Sequence, residues 1–535
     1  MGVTSFFLCT PRREAVDAAL RWFHSSDRSR RRLVVVFNHE DNAAGFVRLQ
    51  TALGLSPFGF QPGFQSFEKS AGTVLVVCGE PRALAGEIEG EIDFLAADAQ
   101  DVPFWERRLH AGSELFCFEN CRLSSRWERI GEGRSRLVRG RKRAEPVPAP
   151  EAVIIAGAGI AGALAAYECS KRGIRPIVFE AGPVPGSGAS ALCAAITHPH
   201  WQRDDNPLFQ LTRQGWIEMM ELLESFPSAF EPCGVMDAAA DDEEEQLMRN
   251  AALKGEPFSM AENFARYVDA AEGERLTGLE LRRGGWFYPR AGLIRPARLI
   301  HALLGEACAP VLTQTRIHLR RSSSGVWQAV HPMGAVLAEA PAALLAAGLD
   351  SPSAIDDEQC RYAMSGLYGR ISILREDSLS DMRVALTGSG YGIHIDGFDG
   401  IGATYEPDRE TMLSPEMAHE HNRAAWSKLL RRPPEWRPEG FYGGMRAVTR
   451  DRLPAAGAMP ARQLPRFHGR PEVKAIPKEP GLWGLFALGS RGMSWGRTAA
   501  KLVAAKMAGA PADLPKSLAR RLSPARFVAD ESFKR

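Results

Sequence analysis

Six residues, Gly157-Ala158-Gly159-Ile160-Ala161-Gly162, carry the clearest chemistry in the chain. Their G-x-G-x-x-G spacing suits a dinucleotide pyrophosphate. Gly157 permits a tight turn, Gly159 lets phosphate approach the backbone, and Gly162 lets the following helix pack on the preceding strand. That helix opens at Ile160 and Ala161, where free N–H groups and the positive end of the helix dipole would face the phosphates. Glu180 lies about 20 residues further on, at the place from which a carboxylate holds ribose hydroxyls. A carboxylate there suits an unphosphorylated adenosine ribose.

Only one such fingerprint occurs. Gly388-Ser389-Gly390 is followed by YGIHIDG, which reads as a hairpin rather than a helix. The chain after Glu180 is long and rich in strand-like runs, so a single dinucleotide motif with a large β-rich insertion points to FAD rather than a nicotinamide. A second glycine cluster, Gly489-Ser490-Arg491-Gly492, lies within Leu485–Met507, which reads as strand, turn and amphipathic helix. Its helix N-terminus would face the flavin pyrimidine and stabilise the anion of the reduced ring.

No metal chemistry is expected. The nine cysteines are scattered, odd in number and without a C-x-x-C pair. That argues against a zinc site or disulfide framework and for a reducing cytoplasm. His198-Pro199-His200 cannot place both imidazoles on one helix face and reads as a surface loop, with a substrate-facing His198 as the alternative.

The elements that would position these groups follow from length and patterning. The chain has 535 residues, 45% of them apolar, and a net charge of +2, which gives no whole-chain signal for an acidic partner. The N-terminus makes a poor signal peptide, and Phe6 breaks the myristoylation pattern. The weakly polar run Val336–Leu349 contains Glu339 and is too short to span a membrane. A soluble, cytoplasmic protein is expected. Arg122–Arg143 is strongly basic, and the Pro/Ala stretch that follows reads as a linker over 144–152. Before it, strand-like runs at Arg32–Phe37 and Thr73–Cys78, with helical stretches between them, suggest an α/β segment. After it, a strand, the glycine turn, a helix over Gly162–Arg172 stopped by Gly173, and a strand ending at Glu180 form one βαβ unit. Leu344–Gly348 reads as a further buried strand ending in a turn at Ala347-Gly348. The acidic run Asp241–Glu245 reads as a solvated helix start.

From about residue 151 onward the chain resembles the FAD-dependent oxidoreductase half of the bifunctional tRNA 5-methylaminomethyl-2-thiouridine biosynthesis (MnmC) family, within the glycine/D-amino-acid oxidase superfamily. The matching pieces occur in order: VIIAGAGIAG, Gly188-Ala189-Ser190, GGWFYPRAG (Gly284–Gly292), Ala347-Gly348, GIGATYE (Gly400–Glu406), GGMRAVTRDRLPAAG (Gly443–Gly457) and LGSRGMSWG (Leu488–Gly496). The resemblance implies an α/β fold: a Rossmann-type, glutathione-reductase-like FAD-binding domain with an inserted β-rich substrate domain, preceded by a small α/β domain. It places FAD-binding parts at about 153–200, 335–350 and 440–510 of an oxidoreductase over 153–515. The substrate domain falls mainly at 201–334 and 351–439, with a tail over 516–535.

The resemblance also implies the reaction: oxidation of a carboxymethylaminomethyl group on a tRNA wobble uridine to aminomethyl, with loss of glyoxylate. Ala189 and Ser190 would lie by the flavin, although the following Ala191–Ala195 departs from the family's usual run. An N-substituted glycine presents a carboxylate, which Arg holds best with its planar fork. Arg446 stands where glycine oxidases carry their carboxylate-binding Arg. Arg450 is the second choice, for carboxylate or tRNA phosphate, and Arg491 would contact the isoalloxazine or substrate. No general base is demanded.

Residues 1–143 faintly resemble a methyltransferase domain, in IDFLAADAQDVPFW and the terminal GRKR. They lack an E-x-G-x-G-x-G-like loop, so the segment reads as a truncated or degenerate remnant without S-adenosylmethionine chemistry, its basic end available for tRNA phosphates. Two other functions fit the same residues. One is an oxidase of the superfamily acting on a free small amino acid or secondary amine. The other is a non-catalytic RNA-binding protein that keeps FAD structurally, against which intact Arg446, Gly489–Gly492 and Gly188–Ser190 argue.

Overall fold

The computed structural model describes residues 3–10, 12–25, 30–37, 49, 51–55, 63–79, 81–117, 123–254, 264–355, 364–395, 397–407, 412–433 and 435–529. The chain divides into two compact units, Met1–Pro148 with Ala505–Ala519, and Ala149–Ala504 with Arg520–Arg535. Among the described residues no helix is long and apolar enough to cross a membrane.

The first unit is an eight-stranded mixed sheet. Gly72–Cys78, Arg30–Phe37, Val3–Leu8, Ile92–Ala96 and Leu109–Phe116 run parallel in that spatial order. Gly63–Lys69 closes one edge antiparallel, and Arg134–Leu137 followed by Trp127–Gly131 closes the other. The apolar run Leu33–Val36, three of its four residues valine, is fully buried, as central parallel strands covered on both faces require. Helix Arg13–Phe23 buries Ala15, Val16, Ala19 and Phe23 on one stripe. The connection between the two strand-like runs is not wholly helical as expected: it includes Gly63–Lys69, hairpinned onto Gly72–Cys78. Buried Phe64 and Phe67 are three residues apart, a spacing that mimics a helix face, but edge pairing decides the conformation.

The second unit is built on a six-stranded sheet ordered Val311–Leu312, Arg175–Phe179, Ala152–Ala156, Ala342–Leu345, Lys478–Phe486, Ala455–Pro460. Its first five strands are parallel and the last antiparallel. Helix Ile160–Ser170 follows the glycine turn and is buried over nearly its whole length. It ends two residues before the sequence pattern suggests, and Gly173 takes the left-handed conformation just beyond, at φ 76°. A second, eight-stranded sheet carries the long antiparallel pair Met364–Leu374 and Pro438–Thr449, beside the hairpin Tyr391–Ile395/Phe398–Gly402. This is the expected α/β class, a Rossmann-type sheet with a β-rich insertion. Asp241 caps helix Asp242–Lys254 by accepting from the Glu244 N–H at 2.8 Å.

Candidate functional site

The two glycine turns and the long antiparallel pair share one cavity of about 1420 Å³, larger than the roughly 300–1,000 Å³ of ordinary small-ligand sites. Its wall includes Gly157, Gly159, Ile160, Ala161, Glu180, Ala189, Ser190, Ala347, Gly348, Arg446, Gly489, Ser490, Arg491 and Gly492. Gly162 stands behind the wall, where an added Cβ would lie 1.9 Å from the Gly157 carbonyl oxygen. Only close helix-to-turn packing explains that glycine.

The first turn fits a dinucleotide. At Gly157, φ is 106° and a Cβ would lie 2.6 Å from the Ala346 carbonyl oxygen. At Gly159, by contrast, a Cβ would meet only Ser190 Oγ, at 3.4 Å. The protein itself therefore leaves room at Gly159, and the space faces the cavity, where a phosphate would need it. The Ile160 N–H donates to Ser190 Oγ at 3.1 Å, so the Gly188–Ser190 segment caps the helix that would receive the pyrophosphate. Glu180 orders the turn by accepting from the N–H groups of Ala158 at 2.8 Å and Gly182 at 2.7 Å. Each carboxylate oxygen keeps further acceptor capacity for a ribose hydroxyl.

Arg446 projects from strand Pro438–Thr449, opposite Leu367. Its Nη1 donates to Ser490 Oγ at 2.6 Å, its Nη2 reaches the Thr404 carbonyl at 3.4 Å, and its guanidinium carbon sits 4.9 Å from the Tyr405 ring centroid. No carboxylate among the described residues pairs with it. With five N–H donors, the guanidinium retains a fork for an incoming acid. The space it occupies exists because residue 369 is glycine: a Cβ there would lie 1.6 Å from Arg446 Nη2. Arg491 lies in the second turn, 5.7 Å from the Trp495 ring centroid.

Arg450 is not brought into the wall. Its strand ends at Thr449, whose hydroxyl lies 2.8 Å from Asp451 Oδ1 and 2.7 Å from the Leu453 carbonyl where the chain turns, leaving Arg450 exposed. Arg452, at φ 58°, reaches the cavity in its place. The surface-loop reading of His198-Pro199-His200 is also corrected, because both imidazoles line the cavity. The loop is pinned by Thr197 Oγ1 donating to the Met493 carbonyl at 3.1 Å and Ser494 Oγ to the His198 carbonyl at 3.2 Å. His198 Nδ1 is buried without a hydrogen-bond partner among the described residues. Among the described residues no group of three or more His, Cys, Asp or Glu is arranged to hold a metal.

Burial pushes His198 down to about 4, and Arg491 adds in the same direction. Burial, Arg491 and His198 push His200 down to about 3. Both imidazoles are neutral at neutral pH. Below their ordinary 6.5 the unfolded chain takes up protons that the folded chain refuses. The stability they contribute is therefore complete above pH 6.5 and is lost as pH falls towards 4. The wild-type melting temperature should drop more steeply over that window than that of an H198N/H200N variant. Equal slopes in thermal scans would remove these two histidines as the source.

The family model for FAD dependent oxidoreductases matches residues 152–506. The tRNA 5-methylaminomethyl-2-thiouridine biosynthesis bifunctional protein MnmC of Azoarcus sp. (strain BH72) is 31% identical over 74% of this chain and 64% of its own. Its namesake from Ralstonia nicotianae (strain ATCC BAA-1114 / GMI1000) is 32% identical over 72% of this chain and 62% of its own. The chain thus spans less than two thirds of the length of these relatives. Among solved structures, glycine oxidase from Geobacillus kaustophilus superposes with TM-score 0.53 at 20% identity, over 68% of this chain and 95% of that one. Iminodiacetate oxidase from Chelativorans sp. BNC1 gives TM-score 0.54 at 21% identity, over 70% and 98%. At these identities the structural likeness speaks for the fold.

Proposed function

The chain belongs to the FAD dependent oxidoreductase family, and from that premise we propose that it oxidises the C–N bond of an N-substituted glycine carried at C5 of a tRNA wobble uridine. One observation carries the reading: a guanidinium without a carboxylate partner, Arg446, shares a cavity with the dinucleotide turn.

Gly157, Gly159 and the helix start at Ile160 and Ala161 would receive the pyrophosphate, Glu180 the ribose, and Ala347-Gly348, Ala189-Ser190 and Gly489–Gly492 the flavin. Bound FAD supplies the two-electron acceptor. Arg446 grips the substrate carboxylate and fixes the adjacent carbon, which is the orientation the chemistry requires. Its hydrogen bond to Ser490 ties that grip to the second glycine turn. Neutral His198 and His200 close the wall without adding charge beside Arg491. Loss of one hydrogen from nitrogen and one from the glycine carbon leaves a C=N bond. Water adds across it, and C–N cleavage leaves the aminomethyl uridine and releases glyoxylate. The tRNA-modifying role in the names of the MnmC relatives supports tRNA as the carrier.

The first unit enters this proposal as a tRNA-holding unit without methyl transfer. Ignoring its antiparallel edges, its strand order is that of a doubly wound sheet, whose ligand crevice lies outside the carboxyl ends of the strands. There the turn after Val3–Leu8 carries no glycine, and Thr10 and Arg12 bond Asp98 at 3.2 and 2.9 Å. The basic end is partly neutralised: Glu114 accepts from Arg134 and Arg136, and Glu91 from Arg141. Exposed Arg129, Arg139 and Lys142 remain for phosphate.

Anaerobic reduction of the bound flavin tests the reading. Carboxymethylaminomethyl-modified tRNA should bleach it, with glyoxylate and aminomethyl uridine recovered by mass spectrometry. Bleaching by sarcosine or glycine but not by modified tRNA would make the enzyme a free-amine oxidase. A yellow protein that no amine reduces would make it non-catalytic.

A further inference from the structure

Tyr405 is 55% exposed, a large aromatic ring left open on the wall of the cavity. Its two neighbours are the opposite: Thr404 is 0% and Glu406 4% exposed. Arg370, itself buried, clamps Glu406 with two bonds of 3.0 and 2.7 Å. Glu406 also accepts from the Leu413 N–H at 3.0 Å and from the Thr404 hydroxyl at 2.5 Å. The backbone is paired on both sides: Thr404 N–H donates to the Arg370 carbonyl at 3.0 Å, and Tyr368 and Glu406 exchange bonds of 2.9 and 2.8 Å. Arg446 lies over the ring.

An exposed ring on a segment pinned this tightly is unusual. Leaving it in water forgoes its burial energy, and Thr404 and Glu406 are held by Arg370 and the backbone pairing rather than by the ring. A rigid, open aromatic surface is what a nucleobase requires, since stacking on it demands little further ordering. The C5 substituent joins the pyrimidine to its carboxylate through a short CH2–NH–CH2 tether. A carboxylate held by Arg446 therefore leaves the base within reach of the ring beside that guanidinium.

Resting on the function proposed above, we infer that Tyr405 is the platform on which the substrate pyrimidine stacks, so that the enzyme prefers the RNA-borne glycine to a free one. The holoenzyme is assayed with an anticodon stem-loop carrying the carboxymethylaminomethyl group and, separately, with sarcosine. In Y405L, KM for the stem-loop should rise about tenfold with kcat little changed, the rise for sarcosine should be much smaller, and Y405F should behave as wild type. Equal rises for both substrates would overturn the inference, because Tyr405 would then merely support Arg446. No rise for either would overturn it too. A wild-type enzyme that oxidises sarcosine and never the stem-loop would instead overturn the tRNA reading itself, an outcome visible before any variant is made.

Discussion

Replacing Arg446 by methionine is expected to lower kcat/KM roughly 30- to 900-fold while the protein stays folded and yellow. The magnitude follows from the bonds removed. Hydrogen bonds to charged groups contribute about 1.5–3 kcal/mol each, and a fork makes two, part of which water recovers, so about 2–4 kcal/mol is lost. The fold tolerates the change because, among the described residues, the guanidinium donates to Ser490 Oγ and the Thr404 carbonyl alone, at a wall open to the cavity. A G369A variant separates position from charge. Its new methyl would claim the space of Arg446 Nη2, the end of a flexible side chain, so Arg446 swings aside, while the Thr404 carbonyl, 3.1 Å from the new methyl, must give by a few tenths of an ångström. KM should rise with the arginine still present. Steady-state kinetics on the modified stem-loop and flavin absorbance decide both cases. An R446M enzyme within threefold of wild type would move the carboxylate grip elsewhere, with Arg491 and Arg452 the next candidates on the same wall.

The residues legible in the sequence were those whose role is a missing atom or a local turn. Gly157 and Gly162 are glycines because backbone oxygens stand where a Cβ would go, and that demand arises within a few residues and from the adjoining strand. The second glycine turn was legible for the same reason: Lys478–Phe486, Gly489–Arg491 and Gly492–Met507 follow the order of the local pattern. What stayed hidden depends on partners distant in the chain. His198-Pro199-His200 is polar and proline-broken, the ordinary marks of a surface loop, and becomes a cavity wall only because Met493 and Ser494 reach it. Gly369 is a strand glycine whose reason is a guanidinium on the paired strand. An interior strand glycine signals close approach by something, without naming it. Arg450 stays outside the cavity because its strand stops at Thr449 and the chain turns there, which bears on its carboxylate role and leaves the tRNA-phosphate alternative as it stood. Tyr405 escaped notice since its exposure matters only against the burial of Thr404 and Glu406, which depends on Arg370.

Substituting Arg497 by methionine should destabilise the second unit by about 3 kcal/mol, the lower end of the roughly 3–5 kcal/mol seen when one partner of a buried ion pair is removed. Arg497 comes from the helix after the second glycine turn and is 3% exposed at its side chain. It reaches Glu168 of the dinucleotide-binding helix at 3.5 Å and Glu221 of helix Pro207–Glu224 at 3.3 Å, and also bonds the Glu218 carbonyl. Burial alone would lower its pKa, but Glu168, Glu221 and Glu218 together hold it above the ordinary arginine value. The lower end applies because Glu168 keeps Arg172 at 2.7 Å, and the neighbouring Glu218 carboxylate is already held by Lys501 at 3.4 Å and the Thr498 hydroxyl at 2.5 Å. The network joins the helices that begin at the two glycine turns, so its loss should loosen the flavin site as well as the fold. Urea titration followed by flavin fluorescence should show release of the cofactor at lower denaturant in R497M. E168Q in the same chain should recover part of the loss by removing the stranded charge. A midpoint unmoved in R497M would mean that the remaining cations neutralise the cluster unaided, and that the two turns are held together by apolar packing alone.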